Sequence, residues 1–183
     1  MLSREDSLRL IEENIKNEAL KKHMLAVSAI MKGLARKLHQ NEELYERVGL
    51  LHDIDYERVG GNMNVHGKVS AEMLEDKLPE ECLHAIRAHN ELTGAKPESL
   101  MDKSLIIADA ISGLIVAVAL VMPSKKLSEV KVKSIKKKFK DKSFARNVDR
   151  NKIMMCEEIG LEYEEFLDIA LKSLQEISSD LGL

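Results

Sequence analysis

Four residues with metal-ligand or acid–base chemistry stand in apolar surroundings. His23 lies in KKHMLAV, His52 and Asp53 adjoin in LLHDIDYE, and Asp109 lies in LIIADAI. An ionised carboxylate in such a setting is costly unless it is paired or bound to a cation. No lysine or arginine lies within one turn of Asp109, so its partner comes from elsewhere in the chain. His52 and Asp53 make the same demand, and adjacent helical residues point about 100° apart, so both reach one ion only where it sits over a helix end. One divalent cation shared by His23, His52, Asp53 and Asp109 meets all these demands. Imidazoles and carboxylates suit Mn, Fe, Co, Ni or Zn, and a water bound to such an ion becomes a nucleophile near neutral pH. The rival is a buried His–Asp network without metal, and His23 alone reads as a hydrogen-bonded core histidine.

The elements that would position these residues are helical. Ser3 ahead of Arg4, Glu5 and Asp6 predicts a capped helix start. His23, Val27, Ile30, Leu34 and Leu38 fall on one helical face. A third helix is expected from about Glu42 to Ile54, with Leu44, Val48 and Leu51 inward. The glycines and asparagines of ERVGGNMNVHG, residues 57 to 67, mark a loop. Helices follow over His66 to Lys77 and Pro79 to Asn90, with Pro79 suited to a first turn. LTGAKPESL is a second loop, and a long helix runs from about Met101 to Val121, stopped by Pro123. A last amphipathic helix covers Leu161 to Leu181. No strand pattern and no repeat is visible. The expectation is an all-α, single-domain bundle of about six to eight helices over residues 1–183, with a metal-binding core over 20–120 and C-terminal helices over 125–183 completing it.

Composition narrows the function. The chain has 183 residues, 44% hydrophobic and 32% charged, a globular balance. Aromatics make up 3%, with no tryptophan, which argues against stacking platforms for single-stranded nucleic acid. A net charge of −3 gives no general attraction to polynucleotides or anionic membranes. Cys82 and Cys156 form neither a disulfide framework nor a zinc spacing. The charged N-terminus lacks a signal-peptide core. The apolar run Ala110 to Met122 falls short of the roughly 18 residues of a membrane span and reads as a buried helix. A cytoplasmic protein without a membrane partner is expected, and its methionine-rich apolar helices offer a face for homo-oligomerisation.

An isolated His, a His-Asp doublet and a distant Asp in this order resemble the HD superfamily of metal-dependent phosphohydrolases, over roughly residues 20 to 120. The resemblance implies an all-α bundle in which His23, His52, Asp53 and Asp109 bind a divalent metal (Mn, Fe, Co, Ni, Zn or Mg). Some branches hold two ions with intermediate histidines, and His66 in VHGKVSAEML and His89 in AIRAHNE look like these. Asp53 would then bridge the two ions. Cyclic-dinucleotide enzymes of the superfamily usually show a second histidine after the His89 equivalent, a Gly-Tyr-Pro motif and a lysine beyond the doublet. This chain has Asn90, no such motif, and Tyr56, which disfavours that substrate class. Asp55-Tyr56-Glu57 is also not the Glu-Asp pair of the stringent-response hydrolases.

The implied activity is hydrolysis of a phosphate ester or anhydride in a small molecule, a nucleotide first, with a polynucleotide disfavoured. Asp53 would orient the attacking water. Asp55 and Glu57 are either solvated loop acids or catalytic groups that hold the water or protonate the leaving group. Lys68 and Arg87 either face solvent or grip a phosphate. His84 lies about 140° from His89 around a helix and cannot face the same site. His39 belongs to a helix C-terminus. The run Lys125 to Lys142 holds nine lysines against two acids, either a solvated face or a basic rim for a phosphorylated substrate. Two other functions fit the same ligands: a metal- or nucleotide-binding sensor without catalysis, and a di-iron oxygenase.

Overall fold

The computed structural model describes residues 2–183 and is all-helical. Among these residues it has ten α-helices and no strand. They are α1 (Arg4–Asn14), α2 (Glu18–Lys37), α3 (Glu42–Leu51), α4 (Lys68–Met73), α5 (Glu80–Ala88), α6 (Leu100–Leu120), α7 (Val132–Lys140), α8 (Arg150–Met154), α9 (Tyr163–Glu176) and α10 (Ser178–Leu181). Single 3₁₀ turns cover Glu91–Thr93, Leu127–Glu129 and Met155–Ile159.

Polar caps start the site-bearing helices. Asn17 accepts from the amides of Ala19 and Leu20 at the start of α2, and Asn41 from Leu44 at the start of α3. Ser99 and Asp102 form a reciprocal capping box on α6. The core forms where α2 packs on α3, α6 and α9. Ile30 and Leu34 of α2, Val48 and Leu51 of α3, and Ile111 and Leu114 of α6 are fully buried there. Each such side chain contributes about 1.5–3 kcal/mol by leaving water. Gly49 sets the closeness of α3 to α2: a Cβ at this position would lie 2.5 Å from the Ser28 Cα. That contact holds the end of α3 beside the His23 face of α2.

The structure departs from the expected elements at the end of the third helix. The third helix stops at Leu51, and residues 52–61 continue as turns, so the His-Asp doublet emerges at a helix end. The long helix lies where expected, at Leu100–Leu120, and by length and composition alone it is long and apolar enough to cross a membrane. Its packing against α2, α5, α7 and α8 makes it a core helix instead. Eight longer helices, among them α7 of the lysine-rich segment, which buries Ile135, make the expected bundle, and α8 and α10 add single short turns. Among the described methionines Met24, Met31 and Met101 are buried, and Met63, Met73, Met122, Met154 and Met155 are partly exposed.

Candidate metal centre

Five elements deliver side chains to one point. α2 presents His23. The residue after α3 is His52, and Asp53 follows in the turn. His66 precedes α4, His89 follows α5, and Asp109 sits midway along α6. Asp53 Oδ1 is 3.3 Å from His52 Nε2, 3.2 Å from His66 Nε2 and 3.4 Å from His89 Nε2. Its Oδ2 faces the other way, 3.7 Å from His23 Nε2, which is itself 3.1 Å from Asp109 Oδ1. Asp53 is thus the hub, with three imidazoles on one oxygen and the His23–Asp109 pair on the other.

The outer ring nitrogens explain why the inner ones converge. His52 Nδ1 bonds the Gly49 carbonyl at 2.9 Å, and His89 Nδ1 bonds the Ile86 carbonyl at 2.5 Å. A carbonyl only accepts, so both Nδ1 atoms carry hydrogen. His66 Nδ1 lies 2.7 Å from Asp55 Oδ1. Ser112 Oγ donates to the Asp109 carbonyl, which leaves it to accept from His23 Nδ1 at 3.3 Å. All four histidines are therefore turned so that Nε2 faces inward, the orientation that partners on the far ring nitrogen enforce on metal ligands.

Burial and charge set the protonation. Burial pushes His52 down to about 4, so its ring is neutral. Its Nε2 is buried without a hydrogen-bond partner. Burial also acts to raise Asp53, but His52, His66 and His89 outweigh it and hold the carboxyl well below its usual range. Burial likewise opposes the ionised Asp109, and His23 outweighs it. For His66 burial disfavours the charge, yet Asp53 and Asp55 raise it to about 9. Without a cation, then, a proton lies between His66 and Asp53.

These donors fit a divalent ion. The unpartnered His52 nitrogen is a lone pair that burial makes expensive to leave alone. His66 Nε2 and His89 Nε2 face each other at 3.1 Å, two nitrogens brought together around one carboxylate. Two ligand groups, His23–His52–Asp109 and His52–Asp53–His89, have atoms close enough to hold an ion. The centre opens into a cleft of about 590 Å³.

Other expected site residues lie elsewhere. Asp55 is fully buried behind His66 and accepts from the Gly67 and Ser70 amides at 2.8 and 2.9 Å, so it positions His66 and α4 and does not face the cleft. Gly67 has φ +86°, and a Cβ there would meet the Ile86 carbonyl at 2.8 Å, which fixes the approach of the 66–67 turn to α5. Glu57 accepts from the Lys16 and Asn17 amides at 2.9 and 2.7 Å, at the entry to α2. Neither acid is placed as a catalytic group. Lys68 and Arg87 line a separate hollow with Glu72, Glu75 and Glu80, and Arg87 pairs with Glu80, so the expected phosphate grip is not at the centre. His84 pairs with Asp102 at 3.0 Å, and His39 is exposed at a positive φ beyond α2.

The cleft gains groups that the sequence did not announce. Asn147 and Lys152, from the C-terminal third, line it, whereas none of the lysines from 125 to 142 does. Nothing in the local pattern around Lys152 sets it apart from other lysines. Ser112 was readable as a hydroxyl three residues after Asp109 on an otherwise apolar helix. Asn90 holds the 63–66 turn through the Met63 and His66 carbonyls at 2.6 and 2.9 Å.

Comparison with known proteins falls on the segment that carries these residues. A family model described as HD domain matches residues 20–114. Ribonuclease Y of Aster yellows witches'-broom phytoplasma (strain AYWB) is 33% identical over 95 residues. Ribonuclease Y of Acholeplasma laidlawii (strain PG-8A) shows the same identity over the same length. Each alignment covers 50% of this chain and 17% of the relative, so less than a fifth of those proteins is represented here. No solved structure matches.

Proposed function

The chain belongs to the HD domain family, a superfamily of metal-dependent phosphohydrolases, and on that premise we propose that it hydrolyses a phosphate ester or anhydride of a small molecule, a nucleotide first. The observation that carries this reading is the convergence of four inward Nε2 atoms on the two oxygens of Asp53 and on Asp109.

In this proposal His23, His52, Asp53 and Asp109 hold one ion, and Asp53, His66 and His89 hold a second. The opposed directions of Asp53 Oδ1 and Oδ2 support two ions over one. A divalent ion bound there supplies an activated water and neutralises phosphoryl charge. The protein's own part is to orient and shield. Ser112, Gly49, Asp55 and Ile86 fix the histidine rings, Asp53 accepts a hydrogen bond from the attacking water, and the cleft mouth admits the substrate past Tyr56 and Met63. Water oxygen bonds to phosphorus, the ester or anhydride P–O bond breaks, and the departing oxygen takes a proton.

A second reading, RNA cleavage by the same chemistry, takes its support from the relatives' name, Ribonuclease Y. The absence of the 125–142 lysines from the cleft lining favours a small molecule here. A cytoplasmic setting suits Cys82 and Cys156, both buried and free, with burial pushing their thiols up to about 12 and about 11.

Metal analysis of the purified chain followed by a phosphatase and phosphodiesterase panel with Mn, Co, Ni, Fe and Mg tests the reading. We expect bound divalent metal and metal-dependent phosphate release. Tight nucleotide binding with no release under any metal would favour a sensor, and iron with a dioxygen requirement an oxygenase.

A further inference from the structure

A second hollow of about 490 Å³ adjoins the metal cleft and shares His89 and Lys152 with it. It lies between the 91–97 loop, α6 and the start of α8. Its walls include Ala95, Pro97, Ile106 and Met155, and its volume falls within the roughly 300–1,000 Å³ of small-molecule sites. Its charged lining is balanced, with Glu91 and Asp149 against Lys96 and Lys152. That balance suits an uncharged group with a few hydrogen-bond donors, and the apolar walls suit a flat ring.

Lys152 stands at the junction of the two spaces, and none of the ion pairs within 4 Å among the described residues engages it. Its position is built. The Arg150 guanidinium donates to the carbonyls of Ala145 at 2.7 Å and Val148 at 2.8 Å, and to that of Phe144. The turn from Asp141 to Asp149 is thus wrapped around one side chain, which sets Asn147 at the cleft and starts α8. Both residues lie outside the segment shared with the family, 20–114.

We propose that this hollow is the leaving-group pocket of the centre, that it takes the nucleoside of a nucleoside monophosphate, and that Lys152 holds the phosphoryl group between pocket and metal cleft. The proposal rests on the phosphohydrolase reading for the placement of the phosphoryl group. The pocket's own chemistry, apolar walls with a balanced charged rim, supplies the choice of a neutral ring-bearing group.

The test is calorimetric titration of the Mn-loaded chain with adenosine monophosphate and, separately, with inorganic phosphate. Ala95→Phe, which fills the pocket, should weaken adenosine monophosphate about tenfold or more, the scale for lost apolar contacts, and leave inorganic phosphate within about twofold. Lys152→Met should weaken both ligands. Ala95→Leu replaces the first variant if its melting curve shows misfolding. Equal loss of both ligands in Ala95→Phe, or loss of neither, overturns the pocket. So does a wild-type chain that binds no adenosine monophosphate. Wild-type binding without hydrolysis, abolished by Ala95→Phe, sustains the pocket while removing the hydrolase reading.

Discussion

The two halves of the centre are held by different means. His23, His52 and Asp109 sit on or at the end of long helices whose packing fixes them, through Gly49 against Ser28 and the buried faces of α2, α3 and α6. His66 is held by hydrogen bonds in a turn, through Asp55, Gly67 and Asn90, and His89 at the end of α5 by the bond of its Nδ1 to the Ile86 carbonyl. One half is a product of core packing, and the other depends on a few polar contacts. Damage to the first should therefore appear as lost fold stability with metal stoichiometry unchanged, and damage to the second as loss of metal from the His66 side, whatever its cost in stability. Asp53 belongs to both.

The largest effect is expected at that shared residue. Asp53→Ala removes an acceptor on both sides, and phosphate release should fall by about a thousandfold or more, the scale for losing a group that acts throughout the site. Circular dichroism should stay helical and bound metal should drop. Wild-type rates in this variant would refute the metal-centred mechanism. Asp55→Ala tests the turn-held half. It strips His66 Nδ1 and the Gly67 and Ser70 amides of their acceptor. Loss of a buried partner of this kind costs about 3–5 kcal/mol. Denaturant melts should show it, and metal content should fall toward one ion per chain. Retention of two ions would show that His66 is held by other means.

Two glycines separate the halves more finely. Gly49→Ala forces a Cβ against the Ser28 backbone at 2.5 Å, and overpacking of this kind costs about 1–3 kcal/mol. Gly67→Ala meets the Ile86 carbonyl and a positive φ, a cost of about 1–2 kcal/mol from the left-handed backbone. Thermal melts of Gly49→Ala should drop while its residual metal stoichiometry stays at the wild-type value. Gly67→Ala should lose metal at a smaller drop in melting temperature. Matching behaviour of the two variants would erase the distinction.

The difference between the halves also explains what was legible in the chain. His23, His52, Asp53 and Asp109 stood out because helical periodicity predicts burial, and a charged group there needs a partner. The resemblance added His66 and His89. Asp55 and Glu57 were harder, because a carboxylate near a doublet looks the same whether it faces the cleft or caps a backbone. Their partners, Gly67 and Ser70 for one and Lys16 and Asn17 for the other, are backbone amides that no residue type encodes. Lys152 was invisible for a different reason: a single basic residue has no local signature, and its placement depends on how the 141–149 turn folds around Arg150. The helices from α1 to α6 were readable to within a few residues, except where the expected helix from His66 shrank to Lys68–Met73 behind Gly67.

The turn-held half should also respond to pH. In the metal-free chain His66 keeps its proton up to about 9, raised from an ordinary 6.5. A group raised on folding stabilises the fold fully below its unfolded value and loses that contribution as pH passes through its folded value. Metal-free stability should therefore decline between about pH 6.5 and 9 by this group alone. A cation must displace the same proton, so affinity at the His66 side should rise across that window, whereas the His52 ring, already neutral above about 4, adds no such slope. Mn titrations at several pH values, in wild type and in His66→Ala, read the effect directly. An unchanged slope in His66→Ala would assign the proton elsewhere.

The smallest expected effect is at Lys68 and Arg87, and it bears on where the phosphate sits. Both residues are near the second-half histidines in sequence, yet they line a separate hollow among Glu72, Glu75 and Glu80. Arg87 is engaged by Glu80, an exposed acid, and partly exposed pairs of this kind contribute little. Lys68→Ala and Arg87→Ala should each change stability by less than about 0.5 kcal/mol and leave KM for a nucleoside monophosphate unchanged. A rise in KM for either variant would mean that phosphate approaches from the α4–α5 side. Because Lys152 approaches from the opposite part of the chain, comparing these variants with Lys152→Met distinguishes the two directions of entry with one substrate and one assay.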